Sequence, residues 1–246
     1  MTSKSKQRLD LFLVENGYFE SREKAATSIL AGSVYVQGEK ALKPSQKVSA
    51  DISIHIKERP RFVSRGGEKL AAAFKEWPLS CKNKIVVDLG ASTGGFTDCM
   101  LKNGAQKVYA VDVGYGQLDY RLRQEPKVVC MEKVNARYLS AKDFFEEISF
   151  LTGDLSFISL KKVLPAIHSI LTAMGTAILL IKPQFEAKPK EVQKGGVVRD
   201  ETVIERILEE IKTEAQKIGF QTHAIIPSPL KGPAGNQEYL IWLTKS

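Results

Sequence analysis

From Lys84 onward, short apolar runs alternate with amphipathic segments, and this alternation constrains the fold more than any other feature of the chain. Runs such as KIVVDLG, KVYAVDV and AILLIKP are typical of buried strands, whereas ETVIERILEEIKTEAQKIG has helical periodicity. Strands that alternate with helices predict an open, mostly parallel α/β sheet with right-handed crossovers. The two closing runs, HAIIPSP and EYLIWLTK, have no helix between them, so we expect them to pair antiparallel at the end of the sheet.

The amino-terminal part of the chain has a different rhythm. Two helix-like runs, RLDLFLVENGY and SREKAATSILAG, are followed by short alternating pieces. Ser21 is predicted to cap the start of the second helix and Gly32 to end it. The stretch RPRFVSRGG, with its proline and glycine pair, is typical of a linker. The sequence therefore predicts a small α+β domain over residues 1–58, a linker over 59–67 and an α/β domain over 68–246.

Composition narrows the class of protein. The 246 residues include 36 Lys and Arg against 28 Asp and Glu, a formal net charge of +8, which suits a polyanionic partner. Cys81, Cys99 and Cys130 lie far apart without metal-ligand spacing, so we expect reduced thiols and no metal. No apolar run approaches the roughly 18 residues that span a bilayer, and the polar start does not read as a secretory signal. We therefore expect a soluble, cytoplasmic protein.

A glycine-rich turn follows the first predicted strand of the α/β part. Gly90, Gly94 and Gly95 mark the passage from a buried strand into a helix, whose unpaired N–H groups suit a carboxylate or a phosphate. Asp112 closes the next strand, 22 residues after Gly90, close to the spacing at which an acid binds ribose hydroxyls in nucleotide-binding α/β folds. Together the two features predict a nucleoside-type cofactor.

The loop sequence distinguishes between cofactors. It reads G-A-S-T-G-G with an aspartate two residues earlier, so it lacks the G-x-G that NAD and FAD sites prefer. It resembles instead the D-x-G-x-x-x-G signature of S-adenosylmethionine-dependent methyltransferases. The signature, with the residue expected near the adenine ring after the third strand, implies a cofactor site made of Asp88, Gly90, Ala91, Ser92, Thr93, Gly94, Gly95, Phe96, Asp112 and Asn135.

Four ionisable residues form the candidate catalytic set: Lys69, Asp154, Lys182 and Glu238. Asp154 and Lys182 each close a predicted parallel strand, and ligands of such sheets bind at the carboxyl ends of the strands. Glu238 begins the predicted antiparallel strand and would start at the same edge. Singly, each residue also fits an ordinary role, as a solvated helix residue, a cap, a snorkelling strand end or an edge charge. Their combined order favours a catalytic set.

With these motifs the chain resembles the TlyA/hemolysin A family, which joins a ribosomal-protein-type αL RNA-binding domain to an FtsJ/RrmJ-like ribose methyltransferase domain. The resemblance runs through RLDLFLVENGY, SREKA, FVSRGGEKL, VVDLGASTGGFTDC, AVDVGYGQL, GDLSFISL, KPQFE and GGVVRD. It implies a Rossmann-like class I methyltransferase with a mostly parallel seven-stranded sheet and an antiparallel last strand, plus a small α+β RNA-binding domain. The implied substrate is a cytidine ribose in large-subunit ribosomal RNA and, for some members, also in the small subunit.

The implied reaction is direct transfer of the sulfonium methyl group of S-adenosylmethionine to a ribose 2′-oxygen. Such an in-line displacement needs proximity, a path for the hydroxyl proton and a stabilised oxyanion. We expect Lys69 and Lys182 to face one another, with Lys182 as the base and Lys69 as the positioning or oxyanion partner. Asp154 would orient one ammonium group, and Glu238 would balance the charge.

The resemblance also places cations on an RNA-binding face, namely Arg8, Arg22, Lys24 and Lys43. Arg59, Arg61 and Arg65 continue that charge toward the methyltransferase part, although each could be an ordinary solvated cation. A row of cations supplies phosphate contacts without reading bases.

Three rival functions stay open at this point. They are a membrane-active hemolysin, suggested only by the family's name, an RNA-binding protein that binds the cofactor without catalysis, and an NAD-dependent oxidoreductase. We favour the methyltransferase, with ribosomal RNA or a ribosomal subunit as partner, no membrane, and a monomeric state.

Overall fold

The computed structural model describes residues 6–57 and 60–246. Arg59, predicted to extend the basic charge, lies outside the described residues, as do residues 1–5. The chain divides into two compact units, Met1–Pro60 and Arg61–Ser246. Within the described part of the chain, no helix is both long and apolar enough to cross a membrane.

The first unit is a small α+β fold. Its elements are strand β1 (Gln7–Arg8), helices α1 (Leu9–Glu15) and α2 (Arg22–Leu30), and strands β2 (Val34–Val36), β3 (Glu39–Lys40), β4 (Lys47–Val48) and β5 (Ile54–Ile56). Strand β1 pairs antiparallel with β4, and β2 lies between β3 and β5 in an antiparallel sheet. The Ser21 hydroxyl accepts a hydrogen bond from the backbone N–H of Lys24, which confirms the predicted cap of α2. The buried core of this unit includes Leu9, Leu13 and Ile29.

The second unit contains the remaining strands and α-helices. They are helix α3 (Gly66–Glu76), strand β6 (Ile85–Leu89), helix α4 (Gly95–Lys102), strand β7 (Lys107–Asp112), helix α5 (Tyr120–Arg123), strands β8 (Val128–Glu132) and β9 (Ile148–Gly153), helix α6 (Leu164–Ile170), strand β10 (Leu171–Ile181), helices α7 (Pro183–Glu186) and α8 (Glu201–Ile218), and strands β11 (Phe220–Pro227) and β12 (Tyr239–Lys245).

These strands form one seven-stranded sheet in the order β11-β12-β10-β9-β6-β7-β8. Strands β10, β9, β6, β7 and β8 pair in parallel, whereas β12 is antiparallel to both β10 and β11. The predicted α/β class, with its single antiparallel last strand, is therefore confirmed. Strand β12 is the second strand in this order, next to the edge strand β11. Its first residue, Tyr239, pairs with Ile181 at the carboxyl end of β10, so β12 begins where the parallel strands end.

Apolar side chains pack on both faces of the sheet. Helices α6 and α8 contribute to the core on one face, and α3 and α4 to the core on the other. Cys81 and Cys99 are buried in the second core, and burial raises their thiol pKa values to about 11 and about 12. Cys130 is half-buried, and all three are free thiols, as the sequence predicts.

Candidate active site

A glycine turn joins β6 to α4 at the carboxyl edge of the sheet. Gly90 has a φ of +81°, and a Cβ at this position would lie 2.7 Å from the carbonyl oxygen of Asp154. The backbone N–H of Asp154 in turn donates to the carbonyl of Leu89 at 2.9 Å. Only glycine satisfies both the left-handed conformation and this close approach. The turn is therefore packed directly against the backbone of a candidate catalytic residue.

Asp112 is fixed at the end of β7, beside this turn. Its Oδ2 accepts a hydrogen bond from the backbone N–H of Ser92 at 2.8 Å, and its Oδ1 accepts one from Gly114 at 2.7 Å. Each carboxylate oxygen can accept more than one hydrogen bond, so both oxygens can still accept from ribose hydroxyls. Asp112 can therefore accept the hydrogen bonds that the hydroxyls of a nucleoside sugar donate.

Asn135 lies after β8 and lines the same cavity as Asp112, a cleft of about 990 Å³. Its Oδ1 accepts a hydrogen bond from the backbone N–H of Arg137 at 3.0 Å and caps a short 3-10 helix. The side-chain amide therefore has its NH2 group left to donate to a ligand. Apolar Val111, Val134 and Leu155 line the same cleft. Apolar walls with a few convergent polar groups fit the adenosine part of S-adenosylmethionine.

A smaller cavity of about 340 Å³ adjoins this cleft, and both are lined by Gly90, Ser92, Asp154 and Ser156. The other predicted loop residues that line the smaller cavity are Ala91, Thr93, Gly95 and Phe96. Gly94 lines neither space. It has a φ of +94°, so the turn needs glycine for its left-handed backbone, and a Cβ there would also lie 2.2 Å from the end of the Leu122 side chain.

Asp88 lies away from both cavities, contrary to the expected contact with the cofactor. Its side chain is fully buried and accepts hydrogen bonds from the hydroxyls of Thr97, at 2.7 Å, and Thr152, at 3.3 Å. Burial raises its pKa from 3.8 to about 7. The reason is its position in a central strand, where the side chain points into the layer between the sheet and α4. Asp88 therefore anchors the first turn of α4 to the sheet through its hydrogen bond with Thr97.

The structure brings all four candidate catalytic residues to the smaller cavity. Lys69 Nζ lies 2.6 Å from Glu238 Oε2 and 3.7 Å from Asp154 Oδ2. Lys182 Nζ lies 2.5 Å from Asp154 Oδ1. The two lysines therefore do not face one another directly, because the Asp154 carboxylate lies between their ammonium groups and gives one oxygen to each. The four side chains are largely buried, and their formal charges cancel.

Strand ends position three of these residues. Asp154 follows β9, Lys182 follows β10, and Glu238 precedes β12. Ile181 pairs with Tyr239 across the antiparallel ladder, so that Lys182 and Glu238 emerge side by side at one edge. Lys69 comes from the amino-terminal half of α3.

Sequence reasoning missed three polar residues around the cavity, and two of them hold the surrounding segments in place. Glu186, at the end of α7, accepts hydrogen bonds from the Ser159 hydroxyl and from the backbone N–H of Leu160, both at 2.6 Å. Burial raises the pKa of the Glu186 carboxyl above its usual value. The runs GDLSFISL and KPQFE contain these partners, but nothing in either run alone indicates that they meet.

The second missed residue is Asn236, which is buried in the segment between β11 and β12. Its Oδ1 accepts a hydrogen bond from the backbone N–H of Val198 at 2.9 Å, and its Nδ2 donates to the carbonyl of Gly196 at 2.8 Å. Asn236 therefore links the GGVVRD run to the residues that precede Glu238. Ser156, also missed, accepts a hydrogen bond from Lys182 Nζ at 2.8 Å.

The predicted RNA-binding cations fall into different settings. Arg8 and Arg22 both contact the buried carboxylate of Asp10. The exposed side chain of Lys24 forms an ion pair with Glu20. Lys43 is exposed, and Arg65 is exposed at the rim of the smaller cavity, where Lys231 also lies. Within the residues that the structure describes, no group of three His, Cys, Asp or Glu side chains is arranged to hold a metal ion.

Comparison with known proteins gives matches over both units. Residues 62–245 match the family described as FtsJ-like methyltransferase, and residues 7–51 match the S4 domain. The chain is 46% identical to the candidate rRNA methyltransferase YqxC of Bacillus subtilis, over 99% of this chain and 87% of that protein. It is 41% identical to the 16S/23S rRNA (cytidine-2′-O)-methyltransferase TlyA of Mycobacterium tuberculosis, over 96% of this chain and 89% of that one.

A solved structure of a hemolysin candidate from Streptococcus thermophilus is also similar. It has 43% sequence identity and a TM-score of 0.75, and the similarity covers 99% of this chain and 90% of that one. The similarity therefore extends over both units and not only over the sheet.

Proposed function

Because this chain belongs to the FtsJ-like methyltransferase family, we propose that it methylates the 2′-oxygen of a cytidine ribose in ribosomal RNA. Membership of the TlyA/hemolysin family, recognised from the sequence, is confirmed by the matches over both units. As a member of that family the enzyme uses S-adenosylmethionine. The nucleotide class follows from the relative TlyA, whose name gives cytidine-2′-O as its target.

The proposed cofactor site uses the residues around the glycine turn. Asp112 would bind the ribose hydroxyls, and the Asn135 amide would donate to the adenine ring. Ser92, Thr93 and Phe96, with the first backbone N–H groups of α4, would surround the amino-acid portion. When bound, S-adenosylmethionine supplies a methyl group on a positively charged sulfur, which a nucleophilic oxygen can attack in line.

We assign the proton transfer to Lys182, whose amine would act in its unprotonated form and accept the proton of the 2′-hydroxyl as that oxygen attacks the methyl group. Its Nζ contacts one carboxylate, Asp154, and a neutral hydroxyl, Ser156, and it lies 5.9 Å from the centre of the Phe185 ring. Lys69 is held by two carboxylates, Asp154 and Glu238, which suits it to position the 2′-oxygen and to stabilise its developing negative charge. Asp154 contacts the Nζ atoms of both lysines and would set the geometry of the whole cluster.

Three further proposals concern the whole chain. Residues 1–58 would be the RNA-binding domain, 59–67 the linker and 68–246 the methyltransferase domain, with the last residues of the linker already helical because α3 begins at Gly66. The S4 domain favours a structured RNA as substrate. We further propose a monomer that acts in the cytoplasm on ribosomal RNA or on a ribosomal subunit.

The observation that carries the proposal is the continuous set of contacts from Glu238 through Lys69 and Asp154 to Lys182, beside a cleft suited to a nucleoside. The test incubates unmethylated ribosomal RNA with the purified protein and S-adenosylmethionine, and maps 2′-O-methyl groups. A new methyl group on a cytidine ribose is expected.

Methylation only of base nitrogens would overturn the proposal. Cofactor and RNA binding without any methyl transfer would instead support a non-catalytic binder. Leakage of liposomes that contain no RNA would support a membrane-active hemolysin.

A further inference from the structure

A buried carboxylate in the first unit holds two exposed arginines. Asp10 lies in the first turn of α1, and only 2% of its side chain is exposed. Arg8, at the end of β1, donates to both of its oxygens, from Nε to Oδ1 and from Nη2 to Oδ2, each at 3.0 Å. Arg22, the first residue of α2, donates from Nε to Oδ2 at 2.8 Å. Three elements of the unit therefore converge on one carboxylate.

The two arginines nevertheless present donors to solvent. The side chains of Arg8 and Arg22 are 40% and 56% exposed. Toward the described residues, Arg22 uses only its Nε, so both of its terminal nitrogens are available to a ligand. A guanidinium group is a planar fork of donors that matches the oxygens of a phosphate. The pair therefore presents two such forks, already oriented, on one surface of the unit.

Asp10 also accepts a hydrogen bond from the backbone N–H of Leu11 at 3.0 Å in the first turn of α1, but this role in folding does not require the two arginines. Ion pairs whose arginines are this exposed contribute little to folding, whereas removing a carboxylate from water has a cost. Holding a long side chain in one conformation does, however, reduce the entropy that is lost when the side chain later binds a ligand. The hydrogen bonds from Arg8, together with Arg22, lower the pKa of Asp10 to about 2, so its carboxylate stays charged at neutral pH.

We propose that Asp10 is a positioning residue that presets Arg8 and Arg22 as one binding site for a phosphodiester group of RNA. This inference rests on the proposed RNA substrate. The site would bind the RNA backbone and would carry no sequence information. Lys24 does not belong to it, because its ammonium group pairs with Glu20.

The variant Asp10→Asn separates positioning from net charge. It removes a negative charge from a basic surface, so charge alone predicts tighter binding of RNA. The positioning role predicts the opposite, namely that the variant binds RNA about tenfold more weakly. This is the loss expected when one charge-assisted hydrogen bond to the RNA is removed. The slope of log affinity against log salt should also fall by about 1, because one phosphate contact is lost.

The matched control is Glu23→Gln. Glu23 is exposed on the same helix as Arg22 and forms no ion pair with either arginine. This substitution changes the net charge by the same amount, and RNA binding should stay unchanged or become slightly tighter. Binding is measured with in vitro transcribed large-subunit ribosomal RNA in the absence of S-adenosylmethionine, so the result does not depend on methyl transfer.

A second arm uses Arg22→Lys, which keeps the charge but loses the fork. It should weaken RNA binding in the same way, while thermal unfolding and cofactor affinity stay close to those of the wild type. If Asp10→Asn does not fold, Arg22→Lys and Arg8→Lys decide the question. Variants that bind RNA as Glu23→Gln does, with an unchanged salt slope, would overturn the inference. A wild-type protein that binds no ribosomal RNA would overturn the proposed function as well.

Discussion

The Glu186 carboxylate accepts a hydrogen bond from the Ser159 hydroxyl at 2.6 Å. Ser159 belongs to the segment that begins with Asp154, and Glu186 ends the helix that begins directly after Lys182. One carboxylate therefore fixes the two segments that carry the proposed base and its partner relative to each other. The rings of Phe157 and Phe185 approach across the same gap, with centroids 5.2 Å apart.

Glu186→Ala should lower kcat for methyl transfer by about 10- to 100-fold, because a small displacement of catalytic groups is costly. Glu186→Gln should retain more activity, since its amide can still accept from Leu160 and donate to Ser159. The measurement is steady-state methyl transfer with saturating RNA and cofactor, which gives kcat. Glu209→Ala, on the exposed face of α8, is the control and should behave as the wild type. Equal kcat values for all three variants would contradict the positioning role.

Lys182→Ala should abolish methyl transfer, with a loss of at least about 100-fold, the usual contribution of a general base. Cofactor affinity should hold, because the contacts proposed for the nucleoside lie in the neighbouring cleft. The Lys69–Glu238 ion pair is left intact, so the variant should fold. Methyl incorporation and calorimetric cofactor binding are measured together, with Lys212→Ala on α8 as the control. An active Lys182→Ala enzyme would remove Lys182 from the mechanism.

Asp112→Ala should weaken binding of S-adenosylmethionine by about 10- to 100-fold, since charge-assisted hydrogen bonds to the ribose would be lost. Part of the loss reflects the turn, because the carboxylate also accepts from Ser92 and Gly114. Asp112→Asn, which keeps one acceptor oxygen, should lose less. Isothermal titration with the cofactor checks this order, and RNA affinity measured on the same samples should not change.

Asp88 should make the protein less stable as the pH rises. Its pKa is about 7 in the folded protein and near 3.8 when unfolded, so between these values the folded state binds more protons. Its contribution is therefore most favourable below about pH 4 and is lost as the pH rises through about 7, by a few kcal/mol in total. The difference in unfolding free energy between Asp88→Asn and the wild type, measured by denaturant titration across this range, should grow in favour of the variant. A constant difference would mean that Asp88 does not titrate there.

The double variant Arg22→Ala/Lys24→Ala should lose RNA affinity and part of its salt dependence while cofactor affinity holds. Most of the loss should come from Arg22. Lys24 is already paired with Glu20, so Lys24→Ala alone should have a small effect. Filter binding at several salt concentrations measures both quantities. Unchanged RNA binding by the double variant would refute a role for this surface.

The frame of the second unit could be predicted from the sequence because its strands are long apolar runs that end in turn signals. The positions of Asp154 and Lys182 followed from the same pattern, since each comes directly after a strand. The direction of the Asp88 side chain did not follow, because a strand buried on both faces has no alternation that separates inside from outside.

Contacts between distant loops were also beyond the sequence pattern. Asn236 lies in the irregular segment between β11 and β12, and Glu186 ends the short helix α7; their partners, Gly196 and Ser159, lie in other segments of the chain. For a related reason, the sequence did not show that the Asp154 carboxylate contacts both lysines. Strand order brings Lys182 to the carboxyl edge of the sheet, and helix α3 carries Lys69, but only the backbone after β9 determines that a carboxylate fits between them.

The register of β12 against β10 determines whether Glu238 reaches the cavity and neutralises a lysine there. Glu238 meets Lys69 only while Tyr239 stays opposite Ile181. A shift of one residue along the ladder would turn alternate side chains to the opposite face, and the Glu238 carboxylate would be buried without its cation. We therefore expect this stretch of the chain to tolerate many conservative replacements but no insertion or deletion, even of a single residue.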